Sequence, residues 1–230
     1  MNRMLWIVTA VAGTMAGQAM AFGFEGAQIS AETLAYSDES DFGSTTYSGG
    51  MEFAVFSGLG VGADLSYYGF DALGLDARNL TLHGIYGINP ITDVGLFVSQ
   101  DSYDGLDSQS YGIEGLASFG GTVVEGYLGK LDGDLAEGNM IGINGSISLF
   151  GGFSANIGFD QASLESTVNR ISIGGEYQLG LGPVLYAEYG KVDDGELDET
   201  YLSFGARLSI GPNQGTTFSS RSVFEIVPGF

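Results

Sequence analysis

Between Ala27 and Ile210 the chain repeats one pattern twelve times, an apolar residue followed by a small or polar one. A period of two marks a β-strand with unlike faces, because successive side chains point to opposite sides. The segment from Asn139 to Asp160 shows it clearly. Ile141, Ile143, Ile147 and Leu149 are followed by Gly151-Gly152 and then by Phe153, Ala155, Ile157 and Phe159; Gly142, Asn144, Ser146, Ser148, Ser154, Asn156 and Gly158 fill the gaps. Such strands fit a soluble sandwich with the oily face inside, or a membrane barrel with the oily face outside.

Composition separates the two. Charged residues make up 15% of the chain, where soluble domains carry about a quarter. Beyond residue 21 no apolar run is long enough for a helical span, and with no cysteine a disulfide framework, a zinc–thiolate site and a thiol nucleophile are all excluded. The 28 Asp and Glu against seven Lys and Arg leave a net charge of −21. That balance argues against a nucleic-acid partner, whose binding rests on basic side chains, and favours cations.

The connections sort into two kinds. Short turns fall at Ser57 to Gly60, Asn89 to Thr92, Gly120-Gly121, Gly151-Gly152 and Gly180 to Gly182, whereas longer acidic loops start at Ser37, Phe70, Gln100, Lys130, Asp160 and Lys191. Six long loops and five short turns join twelve strands with both ends on the short-turn side, the connectivity of an up-and-down transmembrane barrel. Outward aromatics sort to two rims: Tyr47, Tyr67, Tyr111, Phe159 and Tyr189 near the long loops, and Tyr86, Phe119, Phe153 and Tyr177 near the short turns. Two aromatic girdles suit the two boundaries of a bilayer; a sandwich has no need of them. The fold expected is therefore an all-β, up-and-down antiparallel transmembrane barrel of about twelve strands, with the oily face toward lipid.

At the N-terminus, Arg3 precedes an apolar run from Met4 to Ala12 and an Ala19-Met20-Ala21 end, which reads as a secretory signal peptide over 1–21. The barrel is expected over 22–210 and a C-terminal tail over 211–230. With its signal peptide, Gly-rich amphipathic strands and terminal Phe230, the chain resembles the Gram-negative outer-membrane porins. "SFGARLSI", from Ser203 to Ile210, is similar to their closing-strand signal, with Leu208 and Ile210 where the family carries aromatics. The resemblance implies an outer-membrane location, short periplasmic turns, extracellular loops, and lipid and lipopolysaccharide as surroundings, with a homo-oligomer left open. Pro228 argues against a further strand in the tail, which is read as a disordered periplasmic stub, the alternatives being a lumen plug and a partner-binding segment.

The alternation sends Glu32, Glu52, Asp64, Glu114, Glu125, Glu176 and Glu188 into the lumen, against Arg170, Arg207 and the single His83. An acidic lining predicts a passive pore for small hydrophilic solutes that prefers cations. The alternative is a closed structural or adhesive barrel acting through its acidic loops. Turn-derived registers bring Glu52 near Asp64 and Glu114 diagonal to Glu125, pairs that share a proton or hold a cation. Inward Tyr68, Phe97, Tyr127, Tyr186 and Tyr201 read either as a solute-stacking path or as covers for neighbouring glycines. Loop acids, with Asp132, Asp134, Asp193 and Asp194 the leading ligands, are the places for calcium or another divalent ion. No enzyme is expected, since His83 has no serine close by in sequence.

Overall fold

A computed structural model of the chain describes residues 23–37, 43–70, 75–195 and 198–227. The expected signal peptide lies outside the described residues, as do the loop acids Asp38, Glu39, Asp41, Asp71 and Glu196. Twelve strands follow one another: β1 Gly23–Tyr36, β2 Ser44–Phe56, β3 Leu59–Phe70, β4 Leu75–Asn89, β5 Thr92–Tyr103, β6 Leu106–Phe119, β7 Thr122–Gly133, β8 Gly138–Ser148, β9 Phe153–Ser163, β10 Thr167–Gln178, β11 Val184–Asp193 and β12 Asp198–Ile210. Each pairs antiparallel with the next, and β12 returns to β1 with Ala27 opposite Ile210 and Tyr36 opposite Tyr201. Closure leaves no unpaired edge, the condition for a sheet to sit in hydrocarbon.

Every outward set read from the alternation lies on the outer surface. Ile29, Leu65, Leu96, Ile113, Ile157 and Ile173 are all more than half exposed, an arrangement that needs lipid around it. The girdles form as expected: Tyr47 lies opposite Tyr67, and at the short-turn rim Phe153 pairs with Tyr177 at 4.5 Å between ring centroids.

The acidic connections are shorter than expected. β5 and β6 are joined by Asp104-Gly105 alone, both with positive φ, and four further acidic connections leave only three or four residues between strand ends. The physical reason is on the inner face. Near this acidic rim Leu34, Tyr36, Tyr68, Phe70, Leu131, Met140, Ala162, Val168 and Val192 are buried, so the ladder continues where apolar contact holds it, and two acids of these segments, Asp101 and Asp160, are buried on the inner face.

Inside, tyrosine rings lie over glycines. A side chain at Gly142 would meet the ring of Tyr127, and one at Gly190 the ring of Tyr201. These inward aromatics therefore act as covers that stiffen the wall, while Tyr68 turns to the aromatic ring of Phe224 at 5.4 Å.

Candidate functional site

The tail does not hang from the barrel. After Ile210, Gly211 (φ +96°) and Gly215 (φ +134°) allow a tight reversal that packs onto β1, where the Asn213 amide donates to the Glu25 carbonyl at 2.9 Å. Gly-Pro-Asn-Gln-Gly is turn-forming sequence, and here it directs the chain into the lumen. This corrects the reading of residues 211–230 as a free stub: 211–227 run along the inside of the wall, from the short-turn rim to the acidic rim.

Each step of the climb meets an inward acid. Thr217 donates from its amide and hydroxyl to the two oxygens of Glu52, at 2.7 and 2.9 Å. Ser219 does the same to Glu125, at 3.1 Å for both bonds. Phe218 lies over His83 with centroids 6.1 Å apart. Arg221, 2% exposed, sets its guanidinium between Glu114 (Nη2–Oε2 2.9 Å) and Glu125 (Nη2–Oε1 2.5 Å), with Cζ 4.4 Å from the centre of the Tyr127 ring. Its amide donates to Thr81 Oγ1 at 3.0 Å, and its carbonyl accepts from Ser99 Oγ and Asn79 Nδ2 at 2.5 and 3.0 Å.

Above Arg221 the tail makes one turn of helix, α1 (Val223–Ile226), capped by the Ser222 hydroxyl. Asp101 accepts from Ser222 Oγ at 2.6 Å and from the Val223 amide at 3.1 Å. Phe224 enters an aromatic group of Tyr68, Phe70 and Tyr103, Ile226 packs with Phe97, Leu131 and Met140, and Val227 reaches the Leu34, Val168 and Val192 cluster. The inward apolar collar at the acidic rim is thus filled by the tail's own apolar residues.

Glu32, Glu52, Asp64, His83, Glu114, Glu125, Arg170, Glu176, Glu188 and Arg207 lie on the inner side of the wall. Glu52 and Asp64 do not form a pair; Glu52 holds Thr217, whereas Asp64 faces His83, Oδ2 to Nε2 3.1 Å, close enough for charge attraction but without hydrogen-bond alignment. His83 Nδ1 lies 2.7 Å from Glu114 Oε1. Glu114 and Glu125 do hold a cation, but it is the Arg221 guanidinium. Arg170 contacts Glu188 at 2.6 Å and donates to the Glu225 carbonyl at 2.9 Å, and Arg207 contacts Glu176 at 2.9 Å. Glu32 faces a cavity of about 310 Å³ that remains beside the tail, walled also by Ser30, Ser48, Glu176, Tyr186, Glu188 and Arg207. From Phe218 to Val223 the tail is held by residues of β4–β7, and the cavity remains on the side of β1, β2 and β10–β12.

Asp132 and Asp134 are exposed, Asp193 accepts from the Gly195 amide at 2.8 Å, and among the described residues no three metal-ligating side chains come together. The residue that sequence reasoning missed is Arg221. Its signal was present in the tail, where a lone arginine stands beside the apolar run Val223, Phe224, Ile226 and Val227, a composition that matches an acidic lumen ending in an apolar collar.

Glu225 gives the seated tail a pH dependence. Burial pushes its carboxyl up from 4.5 to about 7, against the Ser220 hydroxyl and the Arg221 and Arg170 guanidiniums and with Asp160 adding to the rise; Tyr68 donates to it at 3.3 Å. The seated tail then holds more protons than a released one between about 4.5 and 7, so seating is strongest below 4.5, weakens through that window and levels off above it. Proteolysis of residues 211–227 in the detergent-solubilised barrel should accordingly quicken from pH 5 to pH 8, and Glu225→Gln should flatten that rise; an undiminished rise in the variant would assign it to another group.

No protein-family model and no curated protein matches the sequence. Solved structures do match its shape. The KdgM porin superposes with a TM-score of 0.63 at 12% identity, over 78% of this chain and 97% of that one. An outer-membrane channel from Pseudomonas putida F1 gives 0.59 at 10% identity, over 82% and 96%. The chain has the fold of the outer-membrane barrels. Outer membrane phospholipase A from Escherichia coli shares that fold too, at 0.58 and 11% identity, over 81% and 98%. The outer-membrane barrel therefore fixes the architecture and leaves function to the residues inside it.

Proposed function

We propose that this protein is an outer-membrane channel, not an enzyme, that admits small hydrophilic solutes with a preference for cations and carries its own C-terminal tail as a lumen plug. The observation that carries this reading is the polar cavity beside the tail, which faces Glu32, Asp64, Glu176, Glu188 and Glu225 but only two arginines, Arg170 and Arg207. Fixed charge in a narrow low-dielectric passage is poorly screened, so this excess of acid attracts cations and rejects anions. His83 supports the non-enzymatic side of the reading, since both ring nitrogens face carboxylates and the ring lies against Phe218.

The test is reversal potential under a KCl gradient in planar bilayers. Potassium should be favoured over chloride. Replacing Glu176 and Glu188 by Gln leaves Arg207 and Arg170 without their nearest partners, and the reversal potential should move toward chloride. Silence from protein shown to be folded by heat-modified migration, with and without the tail, would sink the channel reading in favour of a closed structural barrel.

A further inference from the structure

We propose that Glu114, Glu125 and Tyr127 form a guanidinium-binding site of the channel, and that the tail occupies it through Arg221 as a tethered ligand. The inference rests on the channel reading and adds a solute class to it, cations bearing a guanidinium group.

The site belongs to the wall. Glu114 on β6 and Glu125 on β7 are set diagonally by their strand register, Glu114 opposite Tyr127 and Leu116 opposite Glu125, and the tail adds no strand to the barrel. Tyr127 is held without help from the tail, by its hydroxyl on Asp160 Oδ1 at 2.9 Å and by an edge-on contact with Phe97 at 6.4 Å and 87°. His83 Nδ1 engages Glu114 Oε1, which leaves Oε2 to receive both Nε (3.1 Å) and Nη2 (2.9 Å) of Arg221.

What the wall presents is therefore a pair of carboxylates in one direction and a ring face in another. A planar guanidinium satisfies both at once, donating in its plane while its face lies on the ring. An ammonium ion has no flat face to lay on Tyr127, and an alkali cation has neither the fork nor the face. The wall thus distinguishes among cations, which a diffuse acidic lining does not. When Arg221 withdraws, the buried Glu114 and the half-buried Glu125 lose the guanidinium between them, a condition that favours replacement by a free cation of the same shape.

The experiment uses full-length Arg221→Ala, which empties the site, with Arg221→Gln as a second variant should the first fail to fold. Guanidinium chloride at millimolar concentration is compared with ammonium chloride and sodium chloride at equal ionic strength. Two quantities are read, the midpoint of heat-modified migration in detergent, which needs no current, and single-channel current. Guanidinium is expected to raise the midpoint of Arg221→Ala by several degrees and to reduce its current, with at least a tenfold advantage over ammonium. Wild type, whose site is filled, should not respond, and adding Glu125→Gln to Arg221→Ala should cancel the response. Equal effects of guanidinium and ammonium, or a response indifferent to Glu125, would overturn the proposal. A midpoint response in a barrel that never conducts would support the site while overturning the channel reading; a conducting barrel without the response would do the reverse.

Discussion

Removal of residues 211–230 widens the lumen that the tail partly fills, and single-channel conductance in planar bilayers is expected to rise several-fold, since a twelve-stranded barrel has a lumen of intermediate width. The barrel tolerates the cut because none of its closing contacts comes from the tail: β12 pairs with β1 over ten positions and with β11 over ten more. What the cut removes is Phe218, Arg221, Val223, Phe224 and Ile226, all buried in the lumen. The stability cost comes mainly from the apolar collar, since Val223, Phe224 and Ile226 each contribute about 1.5–3 kcal/mol of burial. Heat-modified migration should therefore shift to lower temperature while remaining cooperative. An inserted, tail-less barrel with unchanged conductance would show that another segment closes the lumen.

Arg221→Glu should have the second largest effect. Arg221 is the counter-ion of two carboxylates, and reversing it places a third negative charge between Glu114 and Glu125. Breaking a buried ion pair by losing one partner costs about 3–5 kcal/mol, comparable with the burial of one or two of the tail's apolar side chains. Repulsion adds to that cost, so the tail should leave its seat, with two readouts. Conductance should approach that of the tail-less protein, and residues 211–227 should become open to proteolysis in the detergent-solubilised barrel. Arg221→Lys, which keeps the charge but loses the planar fork, should fall between wild type and Arg221→Glu. A glutamate variant that stays closed and protease-resistant would mean that the Phe224 and Ile226 contacts alone hold the tail.

The twelve strands, their outward faces, both aromatic girdles and the inward placement of Glu32, Glu52, Asp64, His83, Glu114, Glu125, Arg170, Glu176, Glu188 and Arg207 were legible in the alternation of residue types. Two-residue periodicity in a closed sheet is a local rule, and each strand states it independently. The same rule, followed past the membrane band, would have flagged the collar, because Leu34 with Tyr36 and Tyr68 with Phe70 put apolar side chains on the inward track, where the lower part of each strand has small and polar ones. What the lumen contains was not legible. Thr217 meets Glu52 across 165 positions and Arg221 meets Glu114 across 107, pairings that no local pattern encodes. A lone arginine reads the same in solvent as between two inward carboxylates; only the closed barrel, by bringing twelve inward faces around one narrow space, sets that arginine between Glu114 and Glu125 and the tail inside the lumen.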